Sequence, residues 1–172
     1  PAPVVQAVQK RAAHPIYGYA FVPPEFGSVT ADWLRRRHGF SCSPESILFS
    51  PGVVPALSLA VQAFTQPGDE VLIQTPVYHP FRNVVRAAGR IPNANPLLFD
   101  GERYTIDFAD LARRAASPKV KLMLLCSPHN PVGRVWTREE LAQVAQICAD
   151  HNVILVSDEI HADIVYDGHT HT

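Results

Sequence analysis

The chain has almost no charge imbalance, few cysteines and no long apolar run, and each shortage closes off a class of function. Fifteen Lys and Arg against 16 Asp and Glu in 172 residues leave a formal net charge of -1. That balance offers no electrostatic attraction to nucleic acid or an anionic membrane surface. No apolar stretch reaches the ~20 residues a helix needs to cross a bilayer, and no signal-peptide pattern precedes the first element. Cys42, Cys126 and Cys148 are odd in number and lack metal-type spacing, so they read as free thiols of a reducing, cytoplasmic compartment. Neither a GxGxxG fingerprint nor a Walker-type lysine is present, which removes support for dinucleotide and nucleoside triphosphate sites. No internal repeat is visible.

What is present describes a globular domain able to bury a core, with 47% hydrophobic and 18% charged residues. Sixteen prolines sit at element boundaries. Residues 1–29 read as an irregular arm with a short helix over Val4–Ala12 and an aromatic loop, Tyr17-Gly18-Tyr19. A helix is expected from Thr30, its N-cap, to His38, stopped by Gly39. Ile47–Phe49 reads as a short strand. Leu57, Ala60, Val61 and Phe64 then recur at helical spacing behind Pro55. A strand over Glu70–Thr75 is followed by a loop and a helix ending near Gly89, and Pro92–Phe99 is extended. Asp107 caps a short helix with Leu111 and Ala112 inward. Val120–Cys126 and Val153–Val156 are short apolar runs of the kind buried in a parallel sheet. Between them Thr137 and Glu140 form the signature of a capping box. The alternation of strands and helices specifies an α/β layered fold with a mostly parallel sheet.

Ligands of such sheets bind beyond the carboxyl ends of the strands, which directs attention to Ser127–Arg134 and to Ser157–His161. Asn130 lies between Pro128 and Pro131, its amide free for a ligand oxygen or occupied in an Asx-type turn. Asp158 ends an apolar strand, where a buried carboxylate costs several kcal/mol unless paired. A protonated ring nitrogen satisfies that need, and so does a role as N-cap of the next segment. Gly52, Val53 and Val54 open a helix whose unpaired N–H groups suit a phosphate, unless they are an ordinary turn. Tyr78, in a strand-end loop, presents either a lid for a flat cofactor or a packing tyrosine. His161, Asp163, His169 and His171 raise a metal reading, but no third ligand has convincing spacing, and no metal is expected. His129 and His79 are expected to shape the pocket or face solvent rather than act as bases.

The segments SPGVVPALSLA, QTPVYHPF, LCSPHNPVGRVWTREEL and SDEIHAD together resemble the class I/II aminotransferase-fold enzymes that use pyridoxal 5′-phosphate. The likeness is strongest to the MalY/PatB-type cystathionine β-lyases, and it extends over essentially the whole chain. It implies the three-layer large domain of fold type I over residues 30–172. Gly52, Val53 and Val54 are implied to hold the cofactor phosphate, Tyr78 to stack on the ring and Asn130 to bond the ring hydroxyl oxygen. Asp158 is implied to keep the ring nitrogen protonated, making the ring an electron sink. Tyr78 and Asp158 are the implied catalytic residues. His161 stands where many aminotransferases carry a tyrosine, and Tyr19 matches a segment that reaches the neighbouring subunit of a homodimer.

The implied reaction is α,β-elimination from cystathionine or an S-substituted cysteine, giving a thiol, pyruvate and ammonia. Relatives carry the Schiff-base lysine some tens of residues beyond the SDEIH aspartate. Lys10, Lys119 and Lys121 have no matching context. The chain is therefore expected to correspond to the N-terminal part of such an enzyme, to lack turnover alone, and to expose a sheet edge and apolar faces. An aminotransferase is the alternative within enzymes. A non-catalytic module for ligand sensing or interaction is the alternative outside them.

Overall fold

The computed structural model describes residues 1–172. Helix α1 (Ala2–Ala12) has no buried residue and stands apart from the rest of the chain with the irregular segment after it. Helix α2 (Phe26–His38) begins four residues before the expected start, with Glu25 as its N-cap. Thr30 lies inside it and turns its hydroxyl back to the Phe26 carbonyl at 2.7 Å, the alternative to capping open to a helical threonine. The boundary placed between residues 29 and 30 thus falls within α2. Gly39 ends the helix at φ 66° as expected.

Ile47–Phe49 is not a strand. A single 3-10 turn (Pro44–Ser46) precedes it, and the extended backbone there joins no ladder. Leu48 is 87% exposed, and the Phe49 ring meets Phe26 edge-on at 5.7 Å between centroids. β propensity alone does not make a strand where no partner offers hydrogen bonds.

The remaining elements form three layers. They are α3 (Val53–Phe64), β1 (Glu70–Thr75), α4 (Pro80–Ala87), β2 (Ile91–Pro96), the small hairpin β3 (Leu98–Phe99) and β4 (Tyr104–Thr105), α5 (Phe108–Ala115), β5 (Val120–Cys126), α6 (Arg138–Asp150) and β6 (Ile154–Asp158). The sheet has order β2-β1-β5-β6 with every pair parallel. Pro92 and Pro96 are tolerated in β2 because it is an edge strand, where missing donors break no central ladder. Successive β5 side chains alternate between faces. Leu122, Leu124 and Cys126 pack with Leu57 and Val61 of α3 and Phe81, Val84 and Val85 of α4. Met123 and Leu125 pack with Leu111 and Ala115 of α5 and Val144 and Cys148 of α6. Ala115, one turn beyond, takes the inward place expected of Ala112, which is half-buried. Fully burying each such Leu or Phe is worth about 1.5–3 kcal/mol, so the two apolar faces account for the order of layers.

Two caps fix the helices that flank β5. The Asp107 carboxylate accepts the Asp110 N–H at 2.9 Å. Thr137 and Glu140 form the expected reciprocal box, with bonds of 3.2 and 2.8 Å.

Candidate active site

Because the sheet is parallel, the carboxyl ends of β1, β5 and β6 open on one edge. Cys126 is in register with Asp158, and the Ser127 N–H donates to the Asp158 carbonyl at 3.0 Å. The β5 loop and the β6 carboxylate are therefore held side by side.

The loop after β5 is rigid for reasons legible bond by bond. The His129 N–H donates to the Arg134 carbonyl at 2.7 Å, and the Gly133 N–H returns to the His129 carbonyl at 2.8 Å. Gly133 has φ 74°, which only glycine adopts without cost. Inside this turn the Asn130 N–H reaches Cys126 Sγ at 3.3 Å, while the thiol donates to the Pro128 carbonyl at 3.4 Å. Arg134 grips Glu140 through two bonds of 2.8 and 2.7 Å and donates to the Tyr104 carbonyl. Its guanidinium lies 4.7 Å from the Trp136 ring centroid, and Trp136 donates to the Cys126 carbonyl at 2.9 Å. Asn130 is tied to the β1 loop as well, because the Tyr78 N–H donates to its carbonyl at 2.9 Å. The Asn130 side-chain amide makes no hydrogen bond within the chain.

Across the opening stands the N-terminus of α3. Gly52 is its N-cap at φ 133° and ψ 160°, with no side-chain cap. Such a backbone is all but closed to residues with a Cβ. Ser50 Oγ donates to the Gly52 carbonyl at 2.9 Å. The N–H groups of Val53 and Val54 have no partner, leaving two donors at the positive end of a 12-residue helix.

A cleft of about 340 Å³ is lined by Val53, Val54, Tyr78, Cys126, Asn130, Asp158, Ile160 and His161. Six of the eight residues singled out in the sequence meet there, and Gly52 adjoins it as the residue before Val53. Tyr19 does not, being wholly exposed on its own chain. Cys126 and Ile160 are the lining residues that sequence reasoning missed, and of the two Cys126 could have been found. Its place at the end of a buried strand, four residues before Asn130, was the available signal. A larger hollow of about 750 Å³ adjoins the cleft, sharing Asn130 and His161.

Asp158 is 6% exposed, and its one side-chain hydrogen bond is from the Ile160 N–H to Oδ1 at 3.1 Å. Burial raises its pKa above the ordinary aspartate value, against the opposing pull of that N–H and of His161. The bond is the turn-capping alternative, realised in part, since the segment after Asp158 is a turn and not a helix. The second carboxylate oxygen keeps no partner in the chain. Tyr78 is 39% exposed, with His79 edge-on at 5.1 Å. His129 is buried behind the loop, as a pocket-shaping residue. His171 pairs with Glu159 at 3.1 Å, and His38 pairs with Asp163 at 2.8 Å.

This donor set is specific. Two helix N–H groups suit a phosphate, a lone buried carboxylate suits a protonated nitrogen, a free amide suits an oxygen, and a half-exposed ring suits a flat face. A phosphorylated, hydroxylated pyridine carries all four complements. The cleft also falls within the ~300–1,000 Å³ usual for small-molecule sites.

The comparisons with known proteins agree with that chemistry. Cystathionine beta-lyase PatB of Bacillus subtilis is 48% identical over all 172 residues, which span 44% of that protein. Protein MalY of Escherichia coli is 31% identical over 98% of this chain and 43% of its own length. The crystal structure of cystalysin from Treponema denticola, which contains a pyridoxal 5′-phosphate cofactor, superposes with a TM-score of 0.92 at 37% identity, over the whole chain and 44% of that structure. The pyridoxal-phosphate-bound C-S lyase of Staphylococcus hominis gives 0.91 at 36% identity, over 99% of this chain and 44% of its own. This chain thus spans less than half the length of these relatives. Residues 2–172 match the family model for aminotransferase class I and II, and the chain belongs to that family.

Proposed function

We propose that this chain forms the cofactor-gripping part of a pyridoxal 5′-phosphate-dependent carbon–sulfur β-lyase. Its reaction is α,β-elimination from cystathionine or an S-substituted cysteine, releasing a thiol, pyruvate and ammonia. The observation that carries this reading is the convergence of Asp158, Asn130 and Tyr78 with the open N-terminus of α3 on one cleft.

Each residue has a defined task. The Val53 and Val54 N–H groups take the phosphate, with Gly52 giving the chain its close approach. Tyr78 covers one face of the ring, and the Asn130 amide donates to the ring hydroxyl oxygen. Asp158, ionised against its own burial, holds a proton on the ring nitrogen; His161 stands at the same wall. When bound, the protonated ring supplies an electron sink for loss of the substrate α-proton. The chain's lysines are elsewhere. Lys10 is on exposed α1, and Lys119 and Lys121 mark the start of β5, roughly 16 Å of strand from Cys126 at about 3.3 Å per residue. The amine that anchors the cofactor therefore comes from outside this stretch, and the stretch alone does not turn over.

The lyase reading is favoured over aminotransfer by His161, by the GVVPALS turn and by the likeness to a cystathionine β-lyase at 48% identity. Residues 1–29 are the arm, with Tyr19 presented to a second subunit of a homodimer, and residues 30–172 are part of the large domain. Three free cysteines fit a reducing cytoplasm. The test is an assay of the full reading frame on cystathionine. Pyruvate release without a 2-oxo-acid acceptor supports the lyase, whereas acceptor-dependent exchange of the amino group supports an aminotransferase. Failure of both reactions, with no cofactor bound, returns the fold to a non-catalytic role.

A further inference from the structure

Of the histidines around the cleft, His129 alone is buried, at 1% exposed, and it has no task in the chemistry above. Its ring lies behind the Asn130 loop and reaches across to β1, where Nε2 sits 2.9 Å from the Pro76 carbonyl. A carbonyl only accepts, so the ring is protonated at Nε2 and donates. Nδ1 is buried and has no partner. The ring stands edge-on to Trp136 with centroids 5.4 Å apart, which limits its rotation. Pro76 is two residues before Tyr78, and His129 is one residue before Asn130. The Tyr78 N–H to Asn130 carbonyl bond closes the same two loops from the other side. The ring and the backbone bond thus form two rungs between the stacking residue and the amide.

We propose that His129 is a positioning residue, a neutral strut that sets the spacing between the Tyr78 ring and the Asn130 amide and so the fit of the cofactor between them. This rests on the cofactor reading of the cleft. Burial favours the neutral ring, and so does the charge it meets, Arg134, itself paired with Glu140; the carbonyls of Pro76, Gln74 and Cys126 pull the other way and are outweighed. Burial depresses its basicity below the ordinary imidazole value. A second proton placed on Nδ1 lands in a buried site without an acceptor, and the strut is expected to loosen there.

The experiment uses pyridoxamine 5′-phosphate, which has no aldehyde and reads the non-covalent grip without lysine chemistry. Affinity and the induced circular dichroism of the bound ring are measured for the chain and for H129Q, H129N and H129L. A glutamine amide nitrogen overlays Nε2 and reaches Pro76; an asparagine nitrogen overlays Nδ1 and does not. H129Q is expected to bind within about 3-fold of the parent, while H129N and H129L bind ~10-fold more weakly, the loss of one net hydrogen bond, with altered dichroism per bound ring. Thermal unfolding of the free variants reports folding separately.

Equal affinity and dichroism in all four proteins overturns the proposal. So does a loss in H129Q as large as in H129L. A parent that binds no pyridoxamine 5′-phosphate refutes the cofactor reading itself, which the variants do not address. If H129N and H129L fail to fold, ¹⁵N imidazole spectra of the parent decide. A ring held as the Nε2–H tautomer below the pH at which exposed histidines protonate supports the strut, and a ring titrating with them overturns it.

Discussion

Replacing Asp158 by Asn should make the free chain more stable and the cofactor complex less so. The carboxylate is 6% exposed, receives one N–H and has no positive partner. Its folded pKa is raised by burial, so the folded state binds its proton more tightly than the unfolded chain does. The stability tied to that proton is fully present below the unfolded value of ~3.9 and is lost as pH rises through the raised folded value. Above that range wild type keeps an under-satisfied buried charge, which asparagine of the same shape does not. Removing such a penalty is worth about 1–2 kcal/mol once the Ile160 bond is retained, or roughly 2–6 °C in Tm for a chain of this size. The gain should shrink to nothing as the pH approaches 4. With pyridoxamine 5′-phosphate the order should invert, because breaking a buried pair costs about 3 kcal/mol, ~150-fold in affinity. At one hundred times the wild-type Kd, ligand stabilises wild type by about 2.7 kcal/mol and the variant by about 0.3 kcal/mol. Thermal melts with and without ligand at pH 8, and without it at pH 4, read every part of this. A variant less stable than wild type at pH 8 and equally stabilised by ligand would refute the role given to Asp158.

Gly52→Ala should lose about 1–3 kcal/mol by denaturant unfolding, since φ 133° is closed to alanine; the added methyl itself meets only ordinary contact with Pro55, at 3.5 Å. The same variant should bind inorganic phosphate more weakly in competition with pyridoxamine 5′-phosphate. Burial depresses the His129 basicity, so its contribution is complete above the unfolded imidazole value of ~6.5 and is lost as pH falls toward the lowered folded value. Melts from pH 8 to pH 5 should therefore show a steeper acid decline for wild type than for H129Q, and parallel declines would contradict the assignment. Thiol reagents should modify half-exposed Cys42 in the native chain. They should spare Cys126 and Cys148, whose thiols are buried and pushed up to about 11, until denaturant is added.

The parts of the fold legible in the sequence are those whose cause is local. Glu70–Thr75 and Val120–Cys126 are apolar runs with clean boundaries, and both strands have the expected limits. The capping box at Thr137 needs only its own first turn. The start of α2 escapes the pattern because Thr30 has two local uses for its hydroxyl and the structure takes the helical one. Ile47–Phe49 has the composition of a strand without being one, because strand formation depends on a partner that no pattern in the segment names. The cleft divides in the same way. Gly52, Asn130 and Asp158 stand at strand-to-loop or loop-to-helix transitions, where a backbone or charge constraint marks them. In sequence Cys126 reads only as a free thiol ending a strand, and His129 as a residue that shapes the pocket or faces solvent. The His129 contact to Pro76 exists only once β1 and β5 are neighbours, and the Cys126 contact to Pro128 only once the loop folds back on the strand end.

Several groups without a partner gather at one end of the sheet: the Val53 and Val54 N–H groups, the second oxygen of Asp158, the Asn130 amide and His129 Nδ1, while Gln74 Oε1 and His171 Nδ1 are buried and unpartnered outside the cleft. The apolar contacts that offset them lie along the sheet's two faces. An unpartnered group costs up to about 1–3 kcal/mol when fully buried, and those at the cleft are only partly so: Val53, Val54 and Asn130 are half-buried. Retaining several in one cleft makes sense only if a single ligand satisfies most at once. A ligand matched to the phosphate donors alone would leave the Asp158 charge unpaired. One matched to Asp158 alone would leave the end of α3 open. On the reading proposed above, the two demands are met together by a molecule that bears both an anion and a protonated ring nitrogen.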